Sequence, residues 1–192
     1  LDGRYGQSRI ALDGAMQLSA GAKGKEYHAR VTAQEIPFND VTMGLLPPSL
    51  ARPLAAFRPE GNVNLRLELQ ASDGDAPPIV TGAVECLGIK IHHRDIPYPL
   101  RDVRGAISLS RDRLVIAKAT ASPVDPCQPQ FATIFVDGSA AWDGNALAGG
   151  SFVIRTEGLR FTKSLGESLP HELAHAYRDL SPRGPLDRKS VV

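Results

Sequence analysis

The sequence predicts a mainly β protein, an elongated antiparallel sheet with short amphipathic helices closing each of its repeats. Three observations predict it. Apolar and polar residues alternate in many short runs, Gly and Asp turn signals separate those runs at intervals of about ten to twenty residues, and only two segments carry helical periodicity. The clearest run is Val63 to Gln70, where alternation holds without an error over eight positions. A period of two gives a strand with one dry and one wet face.

Similar runs centre on Ile10 and Leu12, on Leu87, Ile89 and Ile91, on Ile107 and Leu109, on Leu114 and Ile116, on Ile134 and Val136, and on Leu159 and Phe161. Between them stand Asp13-Gly14, Asp73-Gly74-Asp75, Asp137-Gly138 and Asp143-Gly144, residues that tolerate the positive φ of tight connections. Ile107 to Ile116 reads as one hairpin closing near Arg111 and Asp112. A sheet wet on one face needs a cover on the other: helix, a second layer or a ligand.

The first helical segment places Leu46, Leu50, Leu54 and Phe57 at i, i+4, i+8 and i+11, with prolines in its first turn and Gly61 beyond it. Pro53 weakens it. The second places Leu169, Leu173, Tyr177 and Leu180 at the same offsets, followed by Pro182 and Gly184. Laying Leu46 on Leu169 sets an offset of 123 residues, and the match extends on both sides. Leu50 meets Leu173, Pro59 meets Pro182 and Gly61 meets Gly184; upstream, Val31 meets Ile154, Ile36 meets Leu159 and Phe38 meets Phe161. With one residue of slip, Leu12-Asp13-Gly14 falls on Val136-Asp137-Gly138. The expected organisation is therefore a repeat. Residues 1–61 end one unit with helix 46–57, residues 62–184 form the next with helix 169–180, and residues 185–192 are the start of a further unit or a frayed end.

Composition narrows the function classes. The 22 basic and 21 acidic residues leave a net charge of +1, and no lysine or arginine run forms a patch, so nucleic acid is not an expected partner. No apolar stretch of about eighteen residues is present, and the start, LDGRYGQSRI, has neither the basic nor the apolar region of a signal peptide. The chain opens on Leu1 and reads as a piece of a longer protein, with any targeting signal or anchor outside it. Two cysteines, Cys86 and Cys127, are too few for a disulfide framework and lack zinc-ribbon spacing. Cys127 lies between prolines with no histidine near it in sequence, a structural thiol either free or bridged to Cys86.

His171-Glu172-Leu173-Ala174-His175 is a literal HExxH, the pattern that sets two imidazoles and a general base on one helix face for zinc. Its context argues against a metallopeptidase. Pro170 puts His171 in the first helical turn, and Arg178 and Ser181 stand where an extended motif needs glycine and histidine. No glutamate follows Glu172 to serve as third ligand. The inward row of Leu169, Leu173, Tyr177 and Leu180 turns both histidines toward solvent, and the repeat puts Pro48, Ser49 and Arg52 at the motif positions. His92-His93, at a strand end, reads as a solvated edge. No GxSxG, P-loop or GxGxxG pattern occurs. The expectation is no enzyme, no catalytic residue, no metal and no cofactor.

From Tyr98 to Ile116 the chain resembles the AsmA-like family, which includes the TamB and YhdP type proteins of Gram-negative envelopes and is similar to the bridge-like lipid transfer proteins. The resemblance rests on Leu100, Asp102, Val103 and Gly105, alternating Ile107 and Leu109, the turn residue Asp112, then Leu114 and Ile116, and later Val136-Asp137-Gly138. The Leu-Pro helix followed by Pro-x-Gly is a further likeness. It implies a curved, U-shaped sheet whose concave apolar face guides phospholipid acyl chains between inner and outer membranes. The implied location is the periplasm, anchored in the inner membrane through an N-terminal segment outside this chain, with envelope proteins as further partners. The implied groove residues are Val63, Leu65, Leu67, Leu69, Leu87, Ile89, Ile91, Ile107, Leu109, Leu114, Ile116, Ile134 and Val136. A charge at Leu67 is then expected to impair lipid occupancy more than the same change at Arg66. A scaffold module of outer-membrane biogenesis is the alternative, because it needs the same alternating strands.

Overall fold

The computed structural model describes residues 2–5, 8–18, 25–44, 51, 54–72, 79–94, 98–143, 146–169, 174–175, 177, 179, 185–186 and 189–191. The protein is mainly β, and its sheet is open and antiparallel. The strands are β1 (Asp2–Tyr5), β2 (Ser8–Leu18), β3 (Lys25–Phe38), β4 (Gly61–Ser72), β5 (Ile79–Ile91), β6 (Leu100–Leu109), β7 (Arg113–Pro123), β8 (Thr133–Asp143), β9 (Ala146–Glu157), β10 (Leu159–Arg160), β11 (Pro185–Leu186) and β12 (Lys189–Val191). Ten of them form one sheet in the order β1 to β9 and then β12, while β10 and β11 pair separately. The predicted hairpin is present: Leu109 lies opposite Leu114, and the Ser110 N–H donates to the Arg113 carbonyl at 2.8 Å.

Two short helices, α1 (Asp40–Gly44) and α2 (Lys163–Ser168), stand just ahead of the segments that carry helical periodicity. The reason is capping. Asn39 Oδ1 accepts from the N–H groups of Val41 and Thr42, both at 3.1 Å, and Thr162 Oγ1 accepts from the Leu165 N–H at 3.2 Å. Each cap therefore starts a helical turn directly at the strand end. Of the expected helix 46–57, Ala51, Leu54 and Ala55 are helical and 45–50 and 52–53 lie outside the described residues. Of the expected helix 169–180, Ala174, His175, Tyr177 and Asp179 are helical, whereas Leu169 belongs to an extended cap after α2. Residues 170–173 lie outside the described residues.

The sheet is bent by irregularities on nearly every inner strand. Register shifts fall at Glu35, Gly88, Asp102 and Lys118, all with positive φ, and each adds a residue that tightens the local twist. Their displaced backbone donors are satisfied from the neighbouring strand: the Glu35 N–H donates to Asn64 Oδ1 at 3.0 Å and the Lys118 N–H to Asp137 Oδ1 at 2.8 Å. Gly82 and Gly105 adopt φ of +139° and +137°, which other residues rarely reach. A Cβ at Gly105 would sit 2.7 Å from the Ala119 Cα. Bulges and glycine kinks of this kind are the physical source of curvature in a broad sheet.

Burial concentrates at one end of the strands. Ala33, Ile36, Phe38, Val63, Cys86, Ile89, Val103 and Ala121 form the core cluster, and Met43 and Leu54 from the helical crossover pack on it.

Candidate functional site

The candidate site is the inward face of the sheet. Pairing fixes its members, because side chains opposite one another share a face and alternate residues return to it. In phase with Val63 are Leu65, Leu67 and Leu69 on β4; across from them lie Cys86, Val84, Gly82 and Val80 on β5. The row continues through Gly105, Ile107 and Leu109 on β6, Ile116 and Leu114 on β7, Gly138 and Ala140 on β8, and Phe152 and Gly150 on β9. Toward the other edge it takes Ile36, Ala33 and Val31 on β3 and Ile10 and Leu12 on β2.

From β4 to β9 no Asp, Glu, Lys, Arg or His stands on this face among the described strand positions; toward the β2 edge the register puts Lys25, opposite Leu18, in phase with it. The ion pairs lie on the opposite face or the rim. Arg30 meets Glu68 at 2.7 Å and Arg155 meets Asp137 at 3.0 Å, with all four side chains at least a third exposed, so each pair contributes little stability. From β4 to β9 charge is confined to the opposite face and the rim, and the inward face there is apolar apart from Thr156.

That face is driest at one end, although Ala140, opposite Leu114, is buried too. Near the helical crossovers Val63 is 1% exposed and Ile89 4%; at the hairpin end Leu69, Val80, Leu109 and Leu114 are half-buried and Leu12 is 42% exposed. Of the sequence-predicted groove residues, Val63, Leu65, Leu67, Leu69, Ile89, Ile91, Ile107, Leu109, Leu114, Ile116, Ile134 and Val136 are brought onto this face. Leu87 is a correction. It pairs with Arg104, one step out of phase with the Cys86 and Gly105 pair, and so points to the charged side. The bulge at Gly88 (φ 91°) then restores Ile89 to the inward face. Sequence alternation missed Val84, Val103, Phe152 and Ile154, which register places inward. Only the pairing reveals them, because bulges break the simple period.

A polar cluster ties the second crossover down. The Asp125 carboxylate accepts from the hydroxyls of Thr162 (2.8 Å) and Ser164 and from the Cys127 N–H (2.9 Å). Burial works to raise its pKa, but these hydrogen bonds outweigh burial and hold the carboxyl below its ordinary value. Gln128, buried, donates to the Arg160 carbonyl and accepts from the Arg160 N–H, both at 2.7 Å, closing β10 as a strand would. The Tyr177 hydroxyl donates to the Thr162 carbonyl at 2.8 Å, and its ring lies 5.8 Å from that of Phe161, as the inward helical row predicts. Nearby, the Tyr98 hydroxyl is buried with no hydrogen-bond partner; burial first and the Asp125 charge second push its pKa up to about 12.

The remaining candidates have simpler surroundings. His175 is exposed, while His171, Glu172 and Leu173 of the HExxH pattern lie outside the described residues. The His93 ring packs edge-on against Phe57 at 4.7 Å, and the neighbouring His92 N–H donates to the Phe57 carbonyl. Among the described residues no three His, Cys, Asp or Glu side chains converge on a point that would hold a metal ion. Both cysteines are free thiols; Cys86 is buried in the core cluster, where burial and then the Glu85 charge raise its pKa. No helix among the described residues is long and apolar enough to cross a membrane. No family model, curated protein or solved structure matches the chain.

Proposed function

We propose that the chain is a lipid-binding segment of an AsmA-like envelope protein, whose apolar sheet face carries phospholipid acyl chains through the periplasm between inner and outer membranes. The observation that carries this reading is the inward face, uncharged from β4 to β9 and half-buried over much of its hairpin end. Apolar surface in water gains roughly 25 cal/mol for each Å² it loses to a cover, and acyl chains supply one without requiring a directional partner. Such binding selects for chain length and fluidity and leaves the headgroup outside.

Leu67 is itself only 6% exposed, so a charge there disturbs packing as well as any ligand. Leu109 and Leu114 are the better probes, being half-buried neighbours at the open end. Native mass spectrometry of freshly purified protein reads the outcome directly. Phospholipid adducts retained by wild type and by Arg66→Glu but lost from Leu109→Glu, with matched circular dichroism, support the conduit. Adducts that Leu109→Glu retains in full overturn it, and a bare wild-type chain favours the scaffold reading.

A further inference from the structure

The two halves of the sheet share more than a sequence pattern: they share a register. From Arg9 opposite Gln34 to Gln17 opposite Glu26, all nine consecutive pairs of β2 with β3 reappear from Thr133 opposite Glu157 to Ala141 opposite Gly149. The offset is 124 residues on the first strand and 123 on the second, so the slip of one residue seen in sequence is absorbed in the connecting turn. The next pairing repeats as well. Arg30, Val31 and Thr32 face Glu68, Leu67 and Arg66; 123 residues later Val153, Ile154 and Arg155 face Val191, Ser190 and Lys189. Beyond the bulge, Ile36 and Pro37 face Val63 and Asn62, and Leu159 and Arg160 face Leu186 and Pro185.

One irregularity recurs at the same place. Glu35 (φ 52°) and Gly158 (φ 66°) occupy equivalent positions, each turning the strand before its helix cap. Asn39 and Thr162, the two caps, are also 123 residues apart. Register, bulge and cap are independent features of a β structure. Chance likeness of two hairpins reproduces none of them together.

We infer that residues 62–184 are one interchangeable six-strand unit of the sheet, and that the edge formed by β9 and β10 is a seam built to receive the β4 sequence of a second such unit. β2, β3 and β4 correspond to β8, β9 and the β11–β12 segment, six places further along the strand order. The seam is cut at Gly61 and Gly184, so joining Gly184 to Asn62 recreates the Gly-Asn junction already present at Gly61. Neither the shared register nor the shared caps depend on whether the inward face holds lipid.

Two grafts at the seam test it with few changed residues. In the first, Pro185 to Val191 is replaced by the sequence of Asn62 to Glu68; in the second, by that of Gly61 to Leu67, one residue out of phase. A one-residue slip sends every apolar side chain to the wrong face. The expected result is a melting temperature at or above wild type for the in-phase graft, and one lower by several degrees for the slipped graft, read by circular dichroism. Equal melting temperatures, or a better slipped graft, overturn the inference. A second variant repeats residues 62–184 between Gly184 and Pro185. It should stay monomeric with unchanged strand content per residue, and its longest dimension by small-angle scattering should grow by about 29 Å, six strands at about 4.8 Å each. Selective proteolysis of the inserted copy, with the flanks intact, overturns the inference too.

Discussion

The helical end and the hairpin end of the inward face are built from the same strands with the same alternation, yet one is a core and the other is a surface. At the helical end Met43 and Leu54 pack against the buried cluster that includes Ile36, Phe38, Val63 and Ile89. At the hairpin end Leu109 joins Leu114 through a tight turn, which brings no side chain over the face. Alternation therefore makes a face apolar, and the length of the connection decides whether that face is covered. Burial is thereby concentrated at one end of the surface.

The sharpest way to break this comparison is to place the same charge at each end. Val63→Asp should cost about 4 kcal/mol or more, because an uncompensated carboxylate enters a filled core. Leu114→Asp should cost about 1 kcal/mol, since its site already meets solvent. Urea titration of both variants reads the difference, and similar losses would mean the hairpin end is as dry as the other.

Backbone strain comes next. Gly82→Ala should destabilise by about 3 kcal/mol, since Ala disfavours a φ of +139° and the new Cβ would collide with the Arg66 carbonyl. Gly14, on the same face toward the hairpin end, has its nearest neighbour to a Cβ at 3.6 Å. Gly14→Ala should therefore be neutral within about 0.5 kcal/mol. Thermal melts of the pair separate glycines that bend the sheet from glycines that merely occupy it.

Asp137→Ala should cost about 1.5 kcal/mol, because the Lys118 N–H at the bulge and the exposed Arg155 lose one acceptor together. The smallest effect is a gain. Tyr98→Phe removes a buried hydroxyl that has no partner and should stabilise by about 1 kcal/mol. The raised pKa fixes how the gain varies with pH: the fold favours the neutral phenol, so the wild type's Tyr98 contribution is constant below about pH 10 and falls as pH rises toward 12, and the advantage of the variant grows there. The phenylalanine variant should lack this alkaline loss in a pH series of melts.

Much of this was legible in the residues. Val63 to Gln70 reads as a half-wet strand and Ile107 to Ile116 as a hairpin, and both are present. What sequence left hidden is what bulges do. Leu87 looked in phase with Ile89, but Gly88 adds a residue between them and the two leucine-like side chains part to opposite faces. The short helices were hidden for another reason: five or six residues are too few to show a period, and only the caps Asn39 and Thr162 mark them. The Asp125 cluster joins residues nearly forty positions apart, and no local pattern encodes that meeting.

From β1 to β9 each strand hydrogen-bonds to its immediate predecessor in the chain. Sheet formation then requires only a succession of small loop closures, and the entropic toll of each is independent of how many strands already stand. This order permits assembly one strand at a time, like a zip: each newly delivered strand can pair with the edge its predecessor has formed, and added strands bring no new topological search.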